Sequence, residues 1–366
     1  MKLSIWMVGV IVMVADVAGV AGAEGPVLFS DTFDAAALGP QWQVKEGAWQ
    51  IADGALTNTG GGLIVLDQMP GNRFELEAEI NFPGNWMSLI MFYETPGDYG
   101  TLYFGGGYWE SFEMENGTLA DYIQRRDPEI TTGVDHQVKV VADYGRLTLY
   151  YDGKLKGQAD LRPRAGSRLA FRNLERGGLV RIRSMRLSRS AAGEAKVVRA
   201  LQPADVGQAT VFSETGLEGK PSTAERLRGD LASGLELPYG FLPGGTFDSR
   251  CARLPLAADH GKYVLCDVEG DGSGNKLYLI VHDRSGEQHL VGEFTLSWKG
   301  WQECAANLAA FLESPPGKQR FHTRWGGDEN QTLDFPLTKV DIGVAKRGAR
   351  VQDKGQIRFR NLRLVE

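Results

Sequence analysis

The sequence predicts an all-β protein built from two consecutive antiparallel β-sandwich (jelly-roll) domains, and three observations predict it. Apolar residues alternate with polar ones at a period of two, as in Phe74-Glu75-Leu76-Glu77-Ala78-Glu79-Ile80, Leu147-Thr148-Leu149-Tyr150-Tyr151 and Lys276-Leu277-Tyr278-Leu279-Ile280-Val281. Turn chemistry separates these runs at Asp53-Gly54, Pro70-Gly71-Asn72, Asn116-Gly117, Asp152-Gly153, Asp271-Gly272 and Ser285-Gly286. Short alternating runs punctuated in this way mark a sandwich or barrel. The third observation is size: 366 residues with 47 glycines provide two cores and many tight connections.

The chain opens with Lys2, an apolar run from Leu3 to Ala15, and Ala21-Gly22-Ala23. A positive start, a short apolar stretch and small residues before a cleavage point predict a signal peptide over 1–23. Asp16 interrupts the run, and no other apolar stretch approaches the roughly 20 residues of a spanning helix. The expected product is secreted, or resident in the periplasm or cell envelope, without a membrane span.

A weak internal echo divides the remainder. Phe29-Ser30-Asp31-Thr32 returns as Phe212-Ser213-Glu214-Thr215, and Ile182-Arg183-Ser184-Met185-Arg186-Leu187 returns as Phe359-Arg360-Asn361-Leu362-Arg363-Leu364. The predicted units are therefore 27–190 and 209–366, with 191–208, rich in Ala, Gly and charge, as a linker. In each closing strand the apolar phase slips by one residue, which predicts a β-bulge. Helical pattern is confined to turns at Ser222–Arg228 and Cys304–Phe311.

A formal charge of -6 excludes a basic nucleic-acid-binding surface as the main feature. Cys251, Cys266 and Cys304 match no zinc spacing. Cys251 and Cys266 flank a turn at Asp259-His260-Gly261, which allows a disulfide between them in an oxidising compartment.

Nine aromatics fall between Phe82 and Trp109. From Trp86 to Tyr93 both parities are largely apolar, with Trp86, Ile90 and Phe92 on one face and Met87, Leu89, Met91 and Tyr93 on the other, so one face is core and the other is available as a platform for sugar rings. Trp86, Tyr99, Tyr108 and Trp109, in or beside glycine-containing loops, are the expected ligand residues. In the second half Trp298, Trp325 and Asp328 are the candidates, while Trp301 reads as core. Between Arg162 and Arg189 stand nine arginines and one acid, Glu175. Guanidinium forks suit carboxylate or sulfate, which makes an acidic glycan a concrete expectation; pairing with the protein's own acids is the alternative. Glu75, Glu77 and Glu79 share one strand face and are the only candidate catalytic carboxylates. No histidine sits in a triad or metal spacing.

The first unit, with Phe29-x-Asp31-x-Phe33, Trp42, Gly47–Leu56 and the hairpin Tyr150-Tyr151-Asp152-Gly153, resembles the concanavalin A-like lectin/glucanase sandwich in its laminin-G-like form. The second, with Glu269-Gly270-Asp271-Gly272-Ser273-Gly274-Asn275, Asp283-Arg284-Ser285-Gly286-Glu287, Trp298-Lys299-Gly300-Trp301 and Arg324–Asp328, resembles the galactose-binding-like jelly roll of carbohydrate-binding modules. These resemblances imply an exported protein that binds a polysaccharide, accessory to its degradation. A glycoside hydrolase or polysaccharide lyase is the first alternative, and a structural or adhesion protein of the envelope the second. They also imply no cofactor beyond a structural Ca²⁺ near the first strands, for which Asp31 and Glu214 are the ligand candidates.

Overall fold

The computed structural model describes residues 25–82, 87–115, 117–174, 178–191, 194–215, 227–241, 248–312, 324–330, 332–346 and 351–366. Residues 1–23, expected to be a signal peptide, and Trp86 lie outside this set, as do most of Ser222–Arg228.

The chain is an all-β protein. Its first strands are β1 (Val27–Asp31), β2 (Trp42–Ala52), β3 (Ala55–Leu66), β4 (Arg73–Asn81), β5 (Met87–Thr95) and β6 (Asp98–Gly105). There follow β7 (Tyr108–Glu115), β8 (Thr118–Arg126), β9 (His136–Asp143), β10 (Arg146–Tyr151) and β11 (Lys154–Asp160). β12 (Arg168–Asn173) and β13 (Val180–Arg189) complete a 13-stranded sheet. Its order is β11-β10-β9-β4-β13-β3-β12-β5-β6-β7-β8, with β1 on β13 and β2 on β3.

This sheet folds back on itself to make its own sandwich. Phe74 of β4 meets Phe92 of β5 at 6.3 Å, and Phe104 of β6 meets Tyr151 of β10 at 6.2 Å. Hairpins at Asp53-Gly54 and Asp152-Gly153 hold both residues at positive φ, the geometry that matches strand twist. The expected bulge in β13 falls between Ile182 and Ser184.

The second half begins with β14 (Val197–Ala200), α1 (Pro203–Val206), β15 (Thr210–Thr215), β16 (Arg228–Asp230), β17 (Gly234–Gly240) and β18 (Asp248–Ala258). It continues through β19 (Tyr263–Asp271), β20 (Lys276–His282), β21 (Gln288–Thr295), β22 (Lys299–Asn307) and α2 (Ala309–Leu312). β23 (Arg324–Trp325), β24 (Leu337–Ala345) and β25 (Lys354–Val365) finish it. One sheet runs β16-β17-β25-β19-β22 with β14 on β25, and the other β15-β18-β24-β20-β21-β23. Leu235, Val268, Phe359 and Leu364 of the first face Leu254, Leu279, Phe294 and Ile342 of the second in one buried core.

Several expectations need correction. The stretch read as linker carries β14, paired with the closing strand, and α1, where Asp205 accepts from the Gln202 N–H at 2.7 Å. The echoed segment β15 pairs with β18, whereas β1 pairs with its unit's closing strand, so Asp31 and Glu214 do not occupy equivalent places. Cys304–Phe311 is strand to Asn307 before α2 begins. All three cysteines are buried thiols. Cys251 sits on β18 with Tyr278 and Ile280, on the face away from the core, while Cys266 pairs across β19 and β22 with Cys304.

The units touch through side chains of both. Tyr144 and Tyr263 pack at 4.8 Å, Asn72 donates to the Glu303 carbonyl at 2.8 Å, and Gly166 lies against Trp298. Among the described residues no helix is long and apolar enough to cross a membrane.

Candidate functional site

The strand β5 explains where the aromatics go. Met87, Leu89, Met91 and Phe92 all enter the main core, while Ile90 and Tyr93 point the other way. Two neighbours share the inward face because the register shifts between Ile90 and Phe92. The strict alternation expected for Trp86–Tyr93, with Phe92 on the face of Ile90, therefore fails at that bulge.

On the outward face Ile90, Tyr93 and Tyr99 join Leu63, Val65 and Ala170, with Phe112 and Met114 against them. Tyr99 and Tyr103 pack on Phe112 at 6.2 and 6.1 Å. Arg172 of β12 lies over the Tyr99 ring at 5.4 Å, donates to its hydroxyl at 3.1 Å, and stands 3.5 Å from Glu46. Farther along, Glu110 of β7 is 6% exposed, and its Oε1 accepts from Tyr122 and Gln124 of β8, each at 2.6 Å. Bonding to Glu110 pushes the Tyr122 phenol up to about 12. Tyr108, half-buried, covers Gly105, where a Cβ would meet its ring at 2.4 Å. The face thus carries five tyrosines, a carboxylate held by two donors, and a stacked guanidinium.

Of the expected ligand residues, Tyr99 and Tyr108 are on this face. Trp109 is not: alternation turns it inward, where it is 1% exposed and presses on Gly157. Glu110 was missed, although the same alternation places it beside Tyr108 once Trp109 is taken as core. Trp298 is buried among the second core and its indole donates to the Val268 carbonyl at 3.4 Å, so it presents no free ring. Trp301, expected in the core, is half-exposed beneath Arg360, whose guanidinium sits 4.1 Å from its ring. Trp325 is exposed on β23, and Asp328 follows in a loop where its N–H reaches Ser285 Oγ at 3.4 Å.

The carboxylates of β4 lie elsewhere. Lys139 bridges Glu75 and Glu77 at 2.6 and 3.2 Å, and Glu79 stands 3.8 Å from Arg183. They form an ion-pair ladder apart from the tyrosines, not an acid–base pair in a cleft. Asp31 is committed to its own turn: it accepts from the Phe33 N–H at 2.8 Å and the Trp42 indole at 3.0 Å. Glu214 belongs to β15, whose backbone pairs it with Ser249.

The arginines concentrated late in the first unit are largely engaged with acids. Arg164 meets Glu113 at 2.9 Å, Arg168 meets Asp67 at 2.6 Å, and Arg183 meets Asp135 at 2.9 Å. In the second unit Arg358 pairs with Glu269, and Arg360 stands 3.7 Å from Asp267. Pairing within the protein, the alternative to an acidic-glycan surface, accounts for these contacts. A cleft of about 450 Å³ between the units is lined by Arg73, Tyr144, Glu303 and Arg363; Arg73 pairs with Asp143 and Arg363 with Glu303, each within its own unit.

A second cluster closes the β20–β21 hairpin. Asp283, Glu287 and His289 are wholly buried, and one donor atom from each lies within 4.8 Å of the others.

Fold and face together define an all-β sandwich protein in which Tyr108 and Tyr122 reach the surface beside the buried Tyr93, Tyr99, Tyr103 and Glu110. No family model matches the sequence, and no curated protein matches it. Solved structures do. One, described under endo-acting O-glycanases of the human gut microbiota that initiate mucin breakdown, is 14% identical, with TM-score 0.38, over 45% of this chain and 99% of that one. The carbohydrate-binding module CBM66 from Bacillus subtilis is 14% identical, with TM-score 0.34, over 40% and 95%. The exoplasmic/lumenal domain of VIP36, bound to Ca²⁺ and Man3GlcNAc, is 15% identical, with TM-score 0.35, over 41% and 84%. At these values none assigns an activity to this chain.

Proposed function

We propose that this is an exported glycan-recognition protein whose binding surface is the outward face of β5–β8 and β12. The observation that carries the reading is Glu110, sunk in that face with both Tyr122 and Gln124 donating to one oxygen. A carboxylate oriented in this way accepts sugar hydroxyls, and the flanking tyrosine rings cover C–H faces while their hydroxyls stay polar. Arg172 beside Tyr99 supplies the one stacked cation, which suits a ring with a carboxylate or sulfate at that end. Trp325, exposed on the second unit, is a separate contact for the same polymer or a neighbouring chain.

The test is a glycan array on the chain lacking residues 1–23, followed by calorimetry, with sugar release assayed on each polymer bound. Glu110→Gln removes a charged acceptor and is expected to weaken binding about 10–100-fold. Tyr108→Ala is expected to weaken it less, and Trp325→Ala to act only on long polymers. Unchanged affinity in Glu110→Gln sinks the reading. Release of sugar by the wild type and not by Glu110→Gln turns the same face into the site of a hydrolase.

A further inference from the structure

The hairpin between β20 and β21 holds three donors that the glycan surface does not use. Asp283 opens the connection, Glu287 closes it, and His289 follows on β21, all wholly buried. The loop sets Asp283 rigidly: its Oδ1 accepts from the Ser285 N–H, the Ser285 hydroxyl and the Glu287 N–H at 2.8, 2.8 and 2.9 Å. That leaves Oδ2 turned toward His289 Nε2 at 3.4 Å, while Glu287 Oε2 stands 3.9 Å from the same nitrogen. Both separations exceed the roughly 2.7–3.2 Å of a good N–H···O bond. The first matches the distance between two ligands of one small cation, about 3.3–3.6 Å for bonds of about 2.0–2.2 Å in tetrahedral geometry, and the second is a few tenths of an ångström longer.

We propose that Asp283 Oδ2, Glu287 Oε and His289 Nε2 bind a divalent cation of the zinc class. The imidazole decides the class. Calcium and magnesium take shells of oxygen, whereas nitrogen with carboxylates suits zinc and its first-row neighbours. The bonds that occupy Asp283 Oδ1 are the outer support such a ligand needs. The cation would pin the loop against the Asp334 N–H, which reaches Asp283 Oδ2 at 3.4 Å, and against the segment carrying Trp325 and Asp328. This site is independent of the tyrosine face and of the calcium expected at Asp31.

The full mature chain, stripped with chelator, is offered Zn²⁺, Co²⁺ or Ca²⁺, desalted, and its metal content counted. The expected result is about one retained equivalent of Zn²⁺, a raised melting temperature, and a Co²⁺ visible spectrum of a low-symmetry nitrogen–oxygen site. His289→Gln is expected to lose the equivalent, and His260→Gln, at an exposed histidine beside Glu366, to keep it. Retention by folded His289→Gln, absence of stoichiometric zinc in the wild type, or binding of Ca²⁺ alone overturns the proposal. If His289→Gln does not fold, the cobalt spectrum of the wild type decides: bands of an all-oxygen octahedral ion count against it, and tetrahedral bands support it.

Discussion

Glu94 Oε2 lies 3.8 Å from Arg164 Nε, with both side chains withdrawn from solvent beside the contact between the two units. Among the described residues Glu94 Oε1 has no hydrogen-bond partner, while Arg164 gives its shorter ion pair to Glu113. Burial therefore dominates, and it lifts the Glu94 carboxyl from 4.5 to about 7 against the opposing pull of Arg164. An acid whose folded pKa is raised favours the folded state in its protonated form. Its contribution is full below about pH 4.5 and is lost as pH rises through about 7. Glu94→Gln removes that loss. It is expected to be about 2–3 kcal/mol more stable than wild type at pH 8 and equal to it near pH 4.5, measured by urea unfolding. Equal stabilities at both pH values would mean that Arg164 holds Glu94 ionised throughout.

The thiols offer a direct check on the core of the second unit. Cys266 and Cys304 face each other across β19 and β22, and burial pushes both thiols far up from their ordinary range. Cys251 is buried on the other sheet. Thiolate is the reactive form, so none is expected to react with a disulfide reagent in the native protein at pH 8. All three are expected to react once the chain is unfolded without reductant. Only one reactive thiol after unfolding would show a bridge, and the obvious pair is then Cys266 with Cys304.

Much of this fold is legible in local pattern because strands carry a period of two wherever one face is buried. The phase slip from Ile182 to Met185 foretells the β13 bulge, since two adjacent residues must share a face there. The Asp271–Asn275 turn is legible for a different reason. Gly272 and Gly274 take φ near 72 and 74°, and Ser273 donates its N–H to Asp271 at 2.9 Å, all from local chemistry. The facing of Cys266 and Cys304 is set by pairing across the sheet, and no local signal carries it. Met87–Tyr93 is apolar on both parities, so its bulge leaves no trace in pattern. The candidate face was half visible: Tyr99 and Tyr108 stand out as aromatics, whereas Glu110 is recognisable only after Trp109 is known to turn inward.

Trp109 and Trp325 should behave oppositely. Trp109 fills the first core with its ring against Gly157, where an added Cβ would meet it at 2.9 Å. Trp109→Ala is expected to cost about 3–5 kcal/mol through the cavity it leaves. Gly157→Ala, which crowds the ring and strains a φ of 149°, is expected to cost about 1–3 kcal/mol. Trp325→Ala, at a side chain 39% exposed, is expected to change stability by less than about 0.5 kcal/mol. Denaturant titration of the three variants reads all of this. A large loss in Trp325→Ala would mean that its loop is part of the fold's support.

The two units meet through Tyr144 and Tyr263, whose rings pack at 4.8 Å with Arg73 over the Tyr144 ring at 5.4 Å. Both rings are buried, and the Tyr263 hydroxyl donates to Asp143 at 3.3 Å. Each single alanine variant removes buried area as well as the pair, so neither one isolates the contact. A double-mutant cycle does. A coupling of about 0.5–1.5 kcal/mol is expected between Tyr144→Ala and Tyr263→Ala, the usual worth of an aromatic pair beyond its area. The Tyr263→Ala variant should also separate the melting of the units, because the aromatic pair and the Asp143 bond go together. Zero coupling with a single sharp transition in every variant would place the cohesion elsewhere, on Asn72 with Glu303 and Gly166 with Trp298.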